Sequence, residues 1–275
     1  MQRHGFSFSK GLGQNFLINP SVCPRMAEMG GANERSGILE FGPGIGVLTA
    51  ELAKRARHVA AIELDDRLLP VLAETLADFS NVHVIHGDVM KLNLATIIAE
   101  EFADCDEIAV CANLPYYITS PVIMNLLESR LPVKSVTVMV QKEAADRICA
   151  PVGSRKSGAL TVAVHYYAVP ETLFKVSRGS FMPPPNVDSA VIRMTVRETP
   201  LFDVGDEKVF FSMVKAGFSQ RRKTLSNSLT SGGFLTRTQA AEALSGADIA
   251  PNTRIEALNM EGLACLSRNI SGLLK

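Results

Sequence analysis

The sequence predicts an α/β fold: a mainly parallel seven-stranded sheet covered by helices on both faces, followed by a small all-helical domain. Three observations predict it. Seven β-like runs occur before residue 200, and helix-like runs separate most of them. Strands alternating with helices imply βαβ units and a parallel sheet. The β-like runs are almost continuously apolar, as strands buried on both faces are. After residue 205 the apolar spacing is helical only.

The elements follow in order. Residues 37–41 (GILEF) are a short apolar run before glycines, and 47–56 (VLTAELAKRA) have helical spacing. Residues 58–64 (HVAAIEL) are β-like and 66–78 helical; 82–85 are β-like and 92–102 helical. Residues 108–112 are β-like and 121–129 helical; 135–140 (SVTVMV) are β-like and 142–149 helical. Two further β-like runs, 159–169 (ALTVAVHYYAV) and 188–197 (DSAVIRMTVR), have less helix between them, which predicts antiparallel strands at one edge. Between them Phe181-Met182-Pro183-Pro184-Pro185 reads as a stiff polyproline-like segment. Residues 199–205 (TPLFDVG) read as a linker, so the domains are expected at 1–200 and 201–275. Helices are expected at 206–218, 222–229, 238–244 and 254–274, punctuated by Gly232-Gly233, Gly246 and Pro251.

The 275 residues carry 28 basic and 28 acidic side chains, and 47% are apolar. That composition excludes a disordered or collagen-like chain. Five scattered cysteines without a C-x-x-C pair argue against a disulfide framework or a zinc site and suit a reducing compartment. The N-terminus (MQRHGFSFSKGLGQ) has no apolar signal core. Residues 108–127 lack charge but contain Asn113, Pro115, Pro121 and Asn125, which make a poor bilayer helix. A cytoplasmic protein without a membrane span is expected. The neutral total hides an asymmetry: residues 1–170 have 15 basic and 18 acidic groups, and the remainder 13 and 10. Part of the later excess is the cluster Arg221-Arg222-Lys223.

The first informative motif, Glu40-Phe41-Gly42-Pro43-Gly44-Ile45-Gly46, joins the first strand to the first helix. Glycines there let the backbone turn tightly and pass close to a ligand. The third glycine comes one residue too early for a dinucleotide fingerprint, and Pro43 stiffens the turn. That points to a cofactor without phosphates rather than to a pyrophosphate cradle. The second strand ends at Glu63, about 20 residues on, where an acid can accept from ribose hydroxyls. The third ends at Gly87-Asp88 and the fourth at Asn113-Leu114-Pro115-Tyr116. Each motif alone also fits an ordinary turn or a surface acid. Four consecutive strand ends carrying polar groups or glycine turns are a stronger signal, because open α/β sheets bind ligands at that edge.

These segments resemble S-adenosylmethionine-dependent amino-methyltransferases. More narrowly, the chain resembles the ribosomal RNA adenine dimethyltransferases of the KsgA type. The similarity runs nearly end to end, through Gly13-Gln14-Asn15-Phe16-Leu17, the four strand ends, Gln141-Lys142-Glu143, Phe181 to Pro185, Val187-Asp188-Ser189-Ala190 and FSQRRKTLSNSL over 218–229. The resemblance implies a Rossmann-like methyltransferase domain over 1–200 and a helical RNA-binding domain over 201–275. It implies that Asn15, Leu17, Gly42, Glu63, Asp88 and Asn113 line an S-adenosylmethionine pocket. Glu63 would hold the ribose and Asp88 would accept from the cofactor's adenine amine. Asn15 and Leu17 would close the pocket from the N-terminal side. The residues themselves indicate only Gly42, Glu63, Asp88 and Asn113.

An adenine exocyclic amine is a poor nucleophile, because its lone pair is delocalised into the ring. The side-chain oxygen of Asn113 and the carbonyl of Leu114 can accept its two hydrogens and favour a pyramidal nitrogen. Pro115 biases Leu114 to an extended conformation, and Tyr116 can stack on a flipped-out base. Phe181 is a second candidate stacking wall, or alternatively a core anchor. No metal, covalent nucleophile or acid–base dyad is expected. The histidines are assigned no role. Lys215, Arg221, Arg222 and Lys223 fall within or beside one helical segment and form a candidate phosphate-binding patch; a solvated helix face is the alternative. The family's basic stretch before Gly13 is absent here, where only Lys10 is basic within 6–11.

The expected partner is small-subunit ribosomal RNA in a pre-30S particle, and the expected activity is dimethylation of two adjacent adenosines during ribosome biogenesis, by a monomer. Competing readings are a large-subunit adenine methyltransferase of the macrolide-resistance type, a non-catalytic binding or assembly factor, and a DNA adenine methyltransferase. Leu114 stands where the last of these has a proline.

Overall fold

The computed structural model describes residues 15–274; His4, Lys10, Gly13 and Gln14 lie outside the described residues. The chain folds into two compact units. One holds the residues up to 145 with 169–196; the other holds 146–168 with those from 197 on. Residues 146–168 thus group with the C-terminal segment, although they precede the expected linker by 30 residues or more.

The first unit is built on a seven-stranded sheet. Its strands are β2 (Ser36–Phe41), β3 (His58–Glu63), β4 (Val82–His86), β5 (Glu107–Ala112), β6 (Ser135–Gln141), β7 (Ala168–Val176) and β9 (Ser189–Val196). They lie in the order β4-β3-β2-β5-β6-β9-β7. Strands β2 through β6 pair in parallel, and β9 runs antiparallel to β6. All six residues of β2 are buried, as the apolar run GILEF requires. The crossovers carry α2 (Val47–Ala53), α3 (Leu69–Thr75), α4 (Leu94–Glu101) and α5 (Tyr116–Glu128), with α1 (Val22–Met29) ahead of β2 and α6 (Lys142–Ile148) after β6. The chain lays β3 and β4 down on one side of β2, then returns to place β5 on the other. The sheet order therefore reverses between β2 and β5, and a crevice opens at their carboxyl ends.

Two expectations need correction. Residues 159–169 are not a strand: they form α7 (Ala159–Tyr167). Six of its nine residues are buried, on every side of the helix, and a run that is apolar all round has no period to separate helix from strand. Thr161 starts the helix, its hydroxyl accepting from Gly158 N–H at 2.9 Å and donating to the Arg147 carbonyl at 2.8 Å. The sheet edge is supplied instead by β7, next to β9. The second correction concerns α5, which starts at Tyr116 and carries Pro121 in its interior. Proline favours the first turn, so the sequence spacing places the start five residues late.

A short two-stranded sheet, β1 (Phe16–Leu17) with β8 (Phe181–Met182), pairs Leu17 with Phe181. It has no periodic signature, being two residues long and closed across the chain. The second unit contains α7 and α8 (Glu207–Ser219), α9 (Leu225–Ser231), α10 (Arg237–Gly246) and α11 (Met260–Leu273). Tyr166, Tyr167, Phe210 and Phe211 form an aromatic cluster with centroids 4.9–5.6 Å apart. Helix α9 begins at Leu225, capped by the Thr224 hydroxyl, so Arg222 and Lys223 lie in the turn before it rather than on it. No described helix is long and apolar enough to cross a membrane.

Candidate cofactor and base site

A cavity of about 370 Å³ opens at the carboxyl ends of β2 to β5, a size suited to a small ligand. Asn15, Leu17, Gly42, Glu63, Asp88, Asn113, Leu114, Pro115, Tyr116 and Phe181 all line it. Its walls carry four acids, Glu40, Glu63, Asp65 and Asp88, and no Lys, Arg or His among the described residues. Glu40 is buried and keeps its proton, and the carboxylates of the other three disfavour phosphate and suit a cation. This fits a sulfonium cofactor and agrees with the reading of the glycine loop.

The loop after β2 takes its shape from its glycines. Gly44 has φ +62° and donates its N–H to Glu63 Oε2 at 3.1 Å. Glu63 Oε1 accepts from Asp65 N–H at 2.8 Å. The backbone N–H that a phosphate would take is therefore already paired with a carboxylate. Burial raises the Glu63 carboxyl above its ordinary range; N–H donors from Asp65, Gly44 and Leu64 work against that shift, and the Asp65 charge adds to it. The side chain keeps acceptor capacity toward the cavity, because each oxygen has two lone pairs. Gly46 has φ +85°, and a Cβ there would sit 3.0 Å from the Thr75 hydroxyl.

Glu40 opens the glycine motif, and sequence reasoning assigns it no role. It lies on β2 with 1% of its surface exposed, and Oε2 has no hydrogen-bond partner among the described residues. Burial pushes its carboxyl up to about 8; Thr49 opposes the shift and the Glu63 charge reinforces it. Beside it on the cavity wall, burial raises the Cys23 thiol to about 12, with Glu40 and Glu51 adding.

Asp88 follows β4 and shapes its own turn. Oδ1 accepts from Met90 N–H at 3.0 Å, while Oδ2 lies 3.6 Å from Lys91 Nζ. Asn15 and Leu17 reach the cavity because β1 pairs with β8, and Ile18 and Asn19 N–H both donate to the Ser180 carbonyl. Phe16, to which the sequence assigns no role, packs over the loop, 3.4 Å from where a Gly44 Cβ would stand. Phe181 is nearly fully buried in the apolar cluster under this wall. It is the core anchor that the alternative reading expected, and it also lines the cavity.

The loop after β5 is set by Pro115, at φ −53° and ψ 136°. Its carbonyl accepts from Ile118 N–H at 3.2 Å and the Thr119 hydroxyl at 3.1 Å, starting α5. The Leu114 carbonyl and the Asn113 side chain have no hydrogen-bond partner among the described residues. Both residues line the cavity. Tyr117, the next residue after Tyr116, is 62% exposed on the same wall.

In the helical unit, Lys215 on α8 and Arg222 and Lys223 after it are exposed. Arg221 differs from them. It donates to the Glu256 carboxylate at 3.0 Å and to the Arg155 carbonyl at 2.8 Å, tying three segments of that unit together.

Residues 5–270 match the family described as Ribosomal RNA adenine dimethylase. The chain is 48% identical over 273 residues to Ribosomal RNA small subunit methyltransferase A of Anoxybacillus flavithermus, covering 98% of this chain and 92% of that one. With the protein of the same name from Geobacillus thermodenitrificans it shares 49% over 278 residues, 100% and 95% of the two lengths. Among solved structures, a dimethyladenosine transferase from Plasmodium falciparum superposes with TM-score 0.75 at 25% identity, covering 91% of this chain and 95% of that one. The 23S rRNA methyltransferase ErmE gives 0.68 at 28%, over 93% and 99%. A match this long takes in both units and every strand-end motif, so the chain belongs to the ribosomal RNA adenine dimethylase family.

Proposed function

We propose that the protein dimethylates the N6 amines of two adjacent adenosines in a 3′-terminal hairpin of 16S ribosomal RNA, with S-adenosylmethionine as methyl donor, on small-subunit precursors in the cytoplasm. The observation that carries this reading is one cavity lined by Glu63, Asp88, Asn113 and Leu114 together, with no Lys, Arg or His among its described lining residues. The relatives named small subunit methyltransferase A favour the small-subunit substrate.

S-adenosylmethionine, when bound, supplies an electrophilic methyl group on a positively charged sulfur. Glu63 accepts from its ribose hydroxyls, Asp88 from its adenine amine, and Asn15, Leu17 and Gly42 complete the wall. Asn113 Oδ1 and the Leu114 carbonyl would accept the two amine hydrogens of the target adenine at the first transfer, and one of them the single remaining hydrogen at the second, directing the nitrogen lone pair into the cavity. Each transfer turns the sulfonium donor into a thioether and releases one proton. Tyr116 stacks on the base and Phe181 holds the opposite side. Holding the amine in this geometry supplies much of the rate, as positioning does generally. Lys215, Arg222 and Lys223 contact RNA phosphates. The functional division is a methyltransferase part over 1–200 and an RNA-binding part over 201–275, acting as a monomer.

The test is methyl transfer from labelled S-adenosylmethionine to small subunits lacking the modification, to large-subunit RNA and to DNA, for wild type and Asn113→Ala. Label in small-subunit adenosines that the variant loses supports the proposal. Label confined to large-subunit RNA overturns the substrate. Cofactor binding without any transfer overturns catalysis.

A further inference from the structure

The Tyr116 hydroxyl lies 2.6 Å from the Ser189 hydroxyl, 73 residues along the chain. Ser189 has no exposed surface. It is the first residue of β9 and pairs in register with Gln141, the last of β6. Because β9 is antiparallel, its first residue arrives at the edge where the parallel strands end, the edge of the cavity. The residue before it, Asp188, is tied down twice. The Asp188 carboxylate accepts from Arg178 N–H at 2.9 Å, and the Asp188 carbonyl accepts from Lys142 N–H at 2.9 Å. Ser189 therefore offers a hydroxyl that cannot wander.

Tyr116 is otherwise held at one end only. Its backbone is fixed by Pro115 at the start of α5, but a tyrosine side chain still turns about two bonds. The hydrogen bond to Ser189 pins the far end of the ring. A ring anchored at both ends presents one face to the cavity before any base arrives. Immobilising it beforehand removes an ordering cost from the step that needs it.

We infer that Ser189 is a positioning residue, acting through the Tyr116 hydroxyl to orient the ring against which the target base packs. The assignment rests on the reading of Tyr116 as the stacking residue given above. Ser189 itself is not among the residues that line the cavity.

The experiment is a double-mutant cycle on full-length protein with Ser189→Ala, Tyr116→Phe and the pair. Single-turnover methylation of unmodified small subunits is followed, with cofactor affinity by calorimetry and thermal melting alongside. One lost hydrogen bond predicts a rate about fivefold lower in each single variant. The double variant should be no slower than either one, with unchanged cofactor affinity. Tyr116→Phe removes the same bond without touching the buried serine, so it carries the test even where Ser189→Ala melts low. A wild-type rate in Tyr116→Phe, multiplying losses in the pair, or weakened cofactor binding in Ser189→Ala overturns the assignment alone. Wild-type protein that labels no small subunit overturns the substrate reading and this assignment with it.

Discussion

The carboxylate of Glu63 bridges the ends of two strands, taking the Gly44 N–H at 3.1 Å on one oxygen and the Asp65 N–H at 2.8 Å on the other. The glycine loop and the acid that follows β3 are thus one structural unit, and a ligand hydroxyl meets an oxygen already oriented by the backbone. Glu63→Gln keeps the shape but gives up the charge and replaces one acceptor with a donor facing an N–H. Losing hydrogen bonds to a charged group costs roughly 1.5–3 kcal/mol, so cofactor affinity should fall about 10- to 100-fold by calorimetry. Because burial raises this carboxyl, wild-type affinity should weaken as pH falls through the raised range. A flat pH profile would mean that Glu63 does not bind as the anion.

Glu40 makes stability depend on pH. Its carboxyl is held at about 8 in the folded chain against an ordinary 4.5. Below 4.5 both states keep the proton. Between 4.5 and 8 the unfolded chain releases it and the folded chain does not, so stability falls as pH rises, by about 1.4 kcal/mol per unit at most. Above 8 the folded carboxyl ionises as well and the slope ends. Glu40→Gln lacks this proton. Its melting temperature relative to wild type should therefore rise between pH 5 and pH 8, and parallel melting curves over that range would refute the assignment.

What the sequence made legible was whatever repeats locally. The apolar strands, the acids at their ends and the Asn-Leu-Pro-Tyr turn each lie within a few residues, and all of these strand ends line one cavity. What it hid depends on distant partners or on burial. Helix α7 reads as a strand because its surroundings are apolar on every side. The pairing of Leu17 with Phe181 and the bond from Tyr116 to Ser189 join residues far apart in the chain, and no local pattern announces them. Asn15 and Leu17 are therefore reached only through resemblance.

Gly46 tests the turn. With φ +85° and Thr75, Leu76 and Leu72 all within 3.3 Å of a would-be Cβ, any side chain strains the backbone and pushes against α3. Gly46→Ala should lose roughly 1–2 kcal/mol from the left-handed conformation alone, with more from the contacts. Thermal melting should show a drop of several degrees. Gly232, which has nothing within 4 Å and no positive φ, is the control: Gly232→Ala should melt close to wild type.

The basic cluster divides into two kinds of residue. Arg222 and Lys223 are exposed in the turn before α9, whereas Arg221 holds Glu256 and the Arg155 carbonyl. If the exposed pair neutralises phosphates, each of Arg222→Ala and Lys223→Ala should weaken binding to a small-subunit RNA hairpin and lower the slope of log affinity against log salt by about 1. Neither should shift the melting temperature appreciably. Arg221→Ala should do the reverse. It leaves Glu256 without its cation and frees the segment around Arg155, so melting falls while the salt slope stays near the wild-type value. A salt slope that drops equally in all three variants would show that Arg221 reaches RNA as well, and that the internal bridge opens when RNA binds.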